Sequence, residues 1–326
     1  MRNLTLRQLR SVQAISRHGT VAAAARQLGL TAPAVTLQIK QLEDECGLSL
    51  FDRTSEGMRL TTAGAAVLGA ANTIETTLRA LSDEIEAVKG VRSGTIQLGV
   101  VSTAKYFAPR LIAAFQREFP AIEMKLKVGN REDIVGDLKN YQLDVALMGR
   151  PPLDFPVHST CFGDHPLVMI APPEHPLVKA RAIGRERLLE ETFIIREPGS
   201  GTRSSLEIFF GDRLETLHGR SMEMGSNETI KQAVMAGLGI AFISAHTIAF
   251  EVEMGRLAIL DVVDMPIRRK WYAVCRQERI QAPAEVAFKS FLVQRGAMYL
   301  PLLDRLYPAE VSGGEPISHR GTPAAP

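Results

Sequence analysis

Between residues 20 and 46 two short helical patterns meet at a single glycine, and this pairing restricts the possible folds more than any other stretch. Thr20 is placed to cap the run VAAAARQL, whose alanines let a neighbouring helix approach closely, and Gly29 supplies the left-handed residue that ends it. Thr31 then caps a second helix over 31–46 (TAPAVTLQIKQLEDEC), with Pro33 in the first turn, where a missing N–H costs little. Val35, Ile39 and Leu42 fall at i, i+4 and i+7, one stripe that a small domain buries. Opposite them lie Pro33, Leu37 and Lys40, flanked by Thr36 and Gln41, and only Lys40 in this group is charged. A helix facing only water carries more charge. Small, hydroxyl, amide and apolar groups with one cation suit the major groove, where thymine methyls, base-edge donors and acceptors, and phosphates lie side by side. The segment is therefore a candidate recognition helix, with Thr31, Ala32, Pro33, Thr36, Leu37, Gln38 and Lys40 as its contact residues. The alternative is a second buried face in an all-helical core.

The flanking segments extend this unit. Leu6, Leu9, Val12, Ile15 and Ser16 have helical spacing in a first helix that stops at His18-Gly19. After the second helix, 50–61 (LFDRTSEGMRLT) reads as a hairpin with Glu56-Gly57 at its tip and Arg53 and Arg59 on its arms. Such a wing can set both arginines on phosphates beside the groove, though solvated surface arginines look the same in sequence. Over 62–90, Val67, Ala70, Ile74, Leu78, Leu81, Ile85 and Val88 recur at steps of three and four, a coiled-coil seam. Pairing with the same helix of a second copy buries that seam, doubles the recognition helix and implies a partly palindromic DNA site. Packing against its own domain is the other reading.

Past Gly90 to Gly94 the pattern changes to short apolar strands alternating with helices, which implies an α/β unit with a largely parallel sheet. A second set of such elements begins near Leu167, and the chain returns with KWYAVCR and a final amphipathic helix. Two lobes joined by crossing strands follow from this order. The Gly-, Pro- and Ser-rich residues 306–326 read as a disordered tail.

Composition excludes several functions. A chain of 326 residues is too long for one small core. No stretch approaches the roughly 20 apolar residues of a membrane span, and MRNLTLRQLR lacks a signal-peptide core, so a cytoplasmic protein with no membrane partner is expected. Cys46, Cys161 and Cys275 are far apart and in no metal-ligand spacing, which implies reduced structural thiols. A net charge of +2 means that DNA binding must rest on local charge distribution. Among seven histidines, His165 and His175 precede prolines and read as turn residues. No Ser-His-Asp order, paired catalytic carboxylates or HExxH spacing is present, so neither catalysis nor a metal or cofactor is expected. The rival classes are an enzyme acting on a phosphorylated metabolite, and a transport solute-binding protein, which the missing signal peptide disfavours.

In α/β lobes, ligands gather at strand carboxyl ends and helix N-termini. Ser102, Thr103 and Lys105 follow the first strand, Asn130 and Arg131 the second, Gly149 and Arg150 the third. Thr202 and Arg203 lie in GSGTR, which lacks the GK[ST] ending of a P-loop, and Asn227 lies in a Gly-Ser-Asn loop before a later helix. The plainer reading makes Gly199 and Gly201 turn residues only. Hydroxyls, backbone amides and up to four cations together favour a small, multiply anionic effector.

The run LRQLRSVQAISRHGTVAAAARQLGLTAPAVTLQIKQLEDECGLSLFDRTSEGMRLTTAG resembles the N-terminal domain of LysR-type transcriptional regulators almost end to end. It joins the helix-turn-helix, the LF-R wing and the LTxAG lead into the next helix in that family's order. Ala32 stands where many members have a polar residue and Leu37 where many have arginine, so thymine methyls or DNA shape should carry more of the site preference. The resemblance continues to about residue 305 and implies an α+β multidomain chain. A winged helix-turn-helix (1–61) and a long coiled-coil linker helix (62–90) precede an effector domain (91–305) similar to periplasmic binding proteins. Its α/β lobes are about 91–161 with 266–305, and 162–265. The runs VVSTAKYFAPRLIAAFQREFP, VGNREDIVGDLKNYQLDVALMGRPP and GSGTRSSLE resemble the regulators of Calvin-cycle (RuBisCO) operons. That likeness implies an activator that contacts RNA polymerase as a homodimer or homotetramer. The implied effectors are a sugar phosphate such as ribulose 1,5-bisphosphate, phosphoenolpyruvate or NADPH.

Overall fold

The computed structural model describes residues 4–88, 93–213, 220–279 and 281–301. The junction at 89–92, the side chain of Val88, the end of the first lobe past 301 and the tail at 306–326 lie outside the described residues. The chain divides into two compact units, the first running from the N-terminus to Gly163 and resuming over Lys270–Met298, the second holding Asp164–Arg269.

In the first unit, α1 (Leu6–His18) begins at a capping box in which the Thr5 hydroxyl accepts from the Gln8 N–H and the Gln8 side chain accepts from the Thr5 N–H. It is followed by α2 (Val21–Leu28) and α3 (Ala32–Cys46), capped by Thr20 and Thr31 and closed by left-handed Gly29 and Gly47. Val35, Ile39 and Leu42 are the buried residues of α3 and meet Leu9, Val12 and Ile15 of α1 in one core. Leu6, in the first turn of α1, is 41% exposed.

The wing consists of β1 (Phe51–Thr54) and β2 (Gly57–Leu60), paired antiparallel with Thr54 opposite Gly57. The tip is therefore Ser55-Glu56, one residue earlier than the sequence suggests. Gly57 is needed in the strand itself: its φ is +129°, and a Cβ there would lie 2.5 Å from the Gly19 carbonyl oxygen, to which Met58 N–H donates at 2.7 Å.

The linker helix α4 (Thr62–Val88) leaves the wing through Thr61, whose hydroxyl donates to Ser49 O and accepts from Gly64 N–H. A Cβ on Gly64 would lie 2.0 Å from the Leu50 carbonyl oxygen, which explains the glycine of the LTxAG run. The expected seam divides. Val67 is buried and Ile74 half-buried against the helix-turn-helix core, whereas Ala70, Leu78, Leu81 and Ile85 are exposed.

Beyond the linker, β3 (Gly94–Val101), α5 (Ala108–Glu118), β4 (Ile122–Gly129), α6 (Arg131–Lys139) and β5 (Val145–Met148) build the first lobe, with β3 parallel to both other strands. The strand β6 (Val157–Ala171) crosses into the second unit between Gly163 and Asp164. That unit contains α7 (Arg185–Leu188), β7 (Phe193–Arg196), α8 (Gly201–Phe210), β8 (Ser221–Met224), α9 (Asn227–Met235), β9 (Ile240–Ser244), α10 (Ala249–Glu253) and the short β10 (Ala258–Ile259). There β7 runs parallel to β8 and β9, and β6 antiparallel to β9 and β10. The chain crosses back on β11 (Ile267–Arg276), which pairs antiparallel with β5, and ends in α11 (Pro283–Arg295) on the first unit.

His165 is not a turn residue. It lies within β6, 5% exposed, 3.1 Å from the Ser244 hydroxyl and stacked on His246 at 6.1 Å, because the strand continues straight through its proline. Burial holds both histidines neutral, with the His246 pKa lowered to about 4. His175 does cap a short turn, accepting from Leu177 N–H.

A buried ionic cluster underlies the first lobe. Arg279 lies between Asp144 (2.9 Å) and Glu285, and Asp144 also accepts from Gln97 N–H at 2.6 Å. Burial raises the Glu285 pKa to about 7, with Asp144 adding to the shift and Arg279 opposing it. Its folded pKa thus exceeds the unfolded value of about 4.3, so its contribution to stability is complete below that value and is lost as pH rises through 7. Relative to Glu285→Gln, the protein should lose roughly 2–3 kcal/mol between pH 5 and pH 8, measured by urea unfolding of both proteins across that range. Gly64→Ala should lower stability by about 2–4 kcal/mol in the same assay, since helix and wing must separate to admit the methyl group.

Candidate functional site

The outward face of α3 is as polar and as open as its spacing suggests. Leu37 is 56% exposed, and Thr31, Pro33, Thr36 and Lys40 are exposed around it, with Ala32 half-buried. The Thr36 hydroxyl donates back to Ala32 O at 2.9 Å. Gln38 differs from expectation. Its side-chain oxygen accepts from the buried Ser11 hydroxyl of α1 at 2.5 Å, so this residue ties α3 to α1.

The wing divides its arginines between two faces. Arg53 sits opposite Met58 and faces α3, sharing with Thr36 and Lys40 a concavity of about 700 Å³. Arg59 sits opposite Asp52 on the other face of the hairpin. The structure thus brings Thr36, Lys40 and Arg53 together and leaves Arg59 apart. That the two arginines lie on opposite faces was legible in sequence, because across a two-residue turn positions of equal parity on the two strands face opposite ways; which of them meets α3 was not. Glu43, lining the same concavity, is committed to Leu50 N–H at 2.7 Å.

In the first unit the candidate ligand residues gather at the carboxyl ends of β3, β4 and β5. Thr103 is buried and Ser102 half-buried after β3, and Lys105 lies in the following turn, 5.8 Å from the Tyr106 ring centroid. Asn130 caps α6: its side chain accepts from Asp133 N–H at 2.9 Å while the Asp133 carboxylate accepts from Asn130 N–H. Its polarity serves the helix start. Arg131 is half-buried, reaches Pro151 O at 3.5 Å, and has its pKa lowered by burial and then by the charge of Arg150, against the pull of Asp154. Gly149 is half-buried and Arg150 exposed after β5. Two guanidiniums that disfavour each other at a helix N-terminus form a surface that an anion stabilises.

In the second unit Ser200 caps α8 by accepting from Thr202 N–H, and Thr202 is 7% exposed. Arg203 departs from its expected role. Its guanidinium is held by Glu223 at 2.6 Å and Glu207 at 3.0 Å and also donates to Arg196 O, so it braces α8 against β8. Burial works against its charge, yet those carboxylate hydrogen bonds outweigh it and hold its pKa above the usual value. Asn227 is fully buried; its oxygen accepts from Arg196 at 2.7 Å, and its NH2 group finds no partner among the described residues. Arg196 was missed in the sequence. It is 2% exposed and makes a two-pronged pair with Glu197 at 2.6 and 2.7 Å. The available signal was an arginine closing the apolar strand FIIR, two residues ahead of the GSGTR turn.

No group of His, Cys, Asp and Glu among the described residues could hold a metal ion, and no helix among them is long and apolar enough to cross a membrane. A capped helix-turn-helix with a wing, a long linker helix and α/β lobes with anion-favouring strand ends define a ligand-responsive DNA-binding regulator.

The chain belongs to the LysR family of bacterial transcriptional regulators. Residues 6–65 match the bacterial regulatory helix-turn-helix protein of the lysR family, and residues 89–297 match the LysR substrate binding domain. The chain is 56% identical to the HTH-type transcriptional regulator CbbR of Rhizobium meliloti, over 96% of this chain and 100% of that protein. It is 46% identical to the RuBisCO operon transcriptional regulator of Allochromatium vinosum, over 90% of this chain and 97% of that one. Among solved structures, the Synechocystis CcmR regulatory domain in complex with 2-PG aligns at a TM-score of 0.57 and 36% identity, covering 62% of this chain and 97% of that one. The relatives are regulators and not enzymes.

Proposed function

We propose that this protein activates a carbon-fixation (RuBisCO) operon in response to a small anionic metabolite. The observation that carries this reading is the 56% identity to CbbR across both domains, end to end. In this reading α3 enters the major groove with Leu37 against thymine methyls, and Lys40 and Arg53 on the adjoining phosphates. Thr31, Ala32, Pro33 and Thr36 line the approach, Gln38 adds only its amide NH2 donors, and Arg59 contacts the backbone only on the far side of the wing. The exposed stripe Leu78, Leu81 and Ile85 supports pairing of α4 with that of a second copy, as a homodimer or homotetramer on a partly palindromic site.

For the effector, the 2-phosphoglycolate bound by the CcmR domain supports a phosphorylated ligand, and Arg131 and Arg150 supply the charge to hold one. Ser102, Thr103 and Lys105 add hydroxyl and ammonium groups within the first unit; in the second, Thr202 offers a hydroxyl of its own, and Asn227 and Arg203 act through the packing of that unit. Ribulose 1,5-bisphosphate, phosphoenolpyruvate and NADPH are the compounds of choice. Binding shifts the regulator only by its preference for one arrangement over another, typically about 1–3 kcal/mol, and that shift changes DNA bending and contact with RNA polymerase.

Leu37→Glu should weaken binding to the protein's own upstream DNA more than about 100-fold in gel shifts while its oligomer mass is unchanged, since a carboxylate then faces phosphates. Unchanged affinity would remove this face from the interface. Arg131→Ala with Arg150→Ala should abolish the calorimetric signal of those three metabolites and leave ligand-free DNA affinity within threefold; retained binding places the effector elsewhere.

A further inference from the structure

The linker helix α4 carries two stripes with different tasks. Leu78, Leu81 and Ile85 lie exposed on one side, and Asn72, Thr76 and Arg79 on the other, roughly 150–180° away at 100° per residue. The second stripe is engaged within the first unit. Asn72 Nδ2 donates to Asn140 O at 2.7 Å, Thr76 Oγ1 to Tyr141 O at 3.5 Å, and Arg79 Nη1 to both oxygens of Asp144 at 3.4 Å. Thr76 and Asp144 are 2% and 1% exposed, while Asn72 and Arg79 border an open concavity of about 790 Å³, so the junction is buried at its centre and open at its rim. The contact reaches the DNA-binding domain directly, because Asn72 Oδ1 accepts from Gln13 Nε2 of α1 at 3.0 Å.

Asn140 and Tyr141 are the turn that ends α6, and the other end of α6 is Asn130 and Arg131. A single nine-residue helix, roughly 13 Å long, thus spans from the paired arginines to the linker helix. Its far turn is held against relaxation. Tyr141 adopts φ +56°, unusual for a side chain of that size, and its hydroxyl joins Arg276 at 3.0 Å and Glu278 at 3.0 Å. Arg276 also donates to Lys139 O and stacks on the rings of Tyr141 (4.5 Å) and Phe155 (4.9 Å). Phe155 ends the loop that starts at Arg150 and whose Pro151 carbonyl accepts from Arg131. The anion-side loop and the far turn of α6 are therefore joined twice, through the helix and through Arg276.

We propose that α6 with its 139–144 turn carries occupancy of the Arg131–Arg150 site to α4 and thereby to the recognition helix, with Asn72 and Arg79 as positioning residues. The proposal rests on the reading of Arg131 and Arg150 as the anion site. A ligand that draws the two guanidiniums together moves the α6 N-terminus against the loop; the rigid helix passes the displacement to Asn140, Tyr141 and Asp144. Those three groups hold one side of α4, so its opposite, dimer-facing stripe turns with it. Asn72 and Arg79 touch neither ligand nor DNA in this scheme.

The test uses the full-length protein and Asn72→Ala/Arg79→Ala, with Asn72→Ser, too short to reach Asn140 O, in case the double variant does not fold. Ribulose 1,5-bisphosphate is the probe, followed by calorimetry for binding and by gel shift for its effect on affinity for the upstream DNA. The variant should bind the probe and the ligand-free DNA within threefold of wild type, while the probe-induced change in DNA affinity falls below twofold. An undiminished change overturns the proposal. If wild type does not bind the probe, the effector reading fails separately, and hydrogen exchange in ligand-free protein decides the junction. Breaking the α4 contacts should speed amide exchange over residues 134–138 of α6 at least threefold, and unchanged exchange there overturns the link.

Discussion

The contact on which the arrangement of the DNA-binding domain depends is the approach of the Gly64 backbone to the Leu50 carbonyl oxygen, closer than any side chain permits. It joins the start of the linker helix to the root of the wing, and Thr61 locks the same corner with hydrogen bonds to Ser49 and Gly64. A second contact of this kind, Gly57 against the Gly19 carbonyl, joins the wing to the end of α1. Wing, first helix and linker are thereby one rigid piece, and α3 is held in it by the Val35, Ile39 and Leu42 stripe. Rigidity matters here because reading a base edge requires that a few side chains hold their positions relative to a fixed groove.

From that corner α4 runs with two chemically different sides. Polar groups at Asn72, Thr76 and Arg79 find acceptors on the first lobe, of which Asp144 is buried and would be costly to leave unpaired. Apolar groups at Leu78, Leu81 and Ile85 are left exposed, where water disfavours them until another surface covers them. Asp144 anchors the polar side. It accepts from Gln97 N–H and faces two guanidiniums, a charge balance that lets a carboxylate sit at 1% exposure.

The same balance separates arginines that brace from arginines that can bind. Arg196, Arg203 and Arg279 each have carboxylate partners at 2.6 to 2.9 Å or closer, so their charge is already compensated. Arg131 instead faces another cation, Arg150, and its carboxylate neighbour Asp154 only partly offsets it. Sequence position cannot distinguish these cases, since Arg131 and Arg203 both sit at the start of a helix after a strand. The difference lies in Glu207 and Glu223, the second of them twenty residues distant and brought beside Arg203 by the pairing of β8 with β7.

Much of the architecture was determined by the sequence alone, because its signals are local. Caps at Thr20 and Thr31, left-handed glycines at 19 and 29, the i, i+4, i+7 stripe of α3 and the change of period after the linker depend on residues within one or two turns of each other. The exposed Leu37 and Lys40 face followed from the same geometry. Tertiary structure alone decided what depends on distant chain: that Gln38 turns to Ser11, that Arg53 and not Arg59 faces α3, and that His165 is a buried strand residue. It also decided that Arg203 is spent on carboxylates, and that one side of α4 is clamped while the other stays open. A helical wheel shows that α4 has two sides, but only the placement of Asn140 and Asp144, supplied by another domain, assigns a partner to one of them.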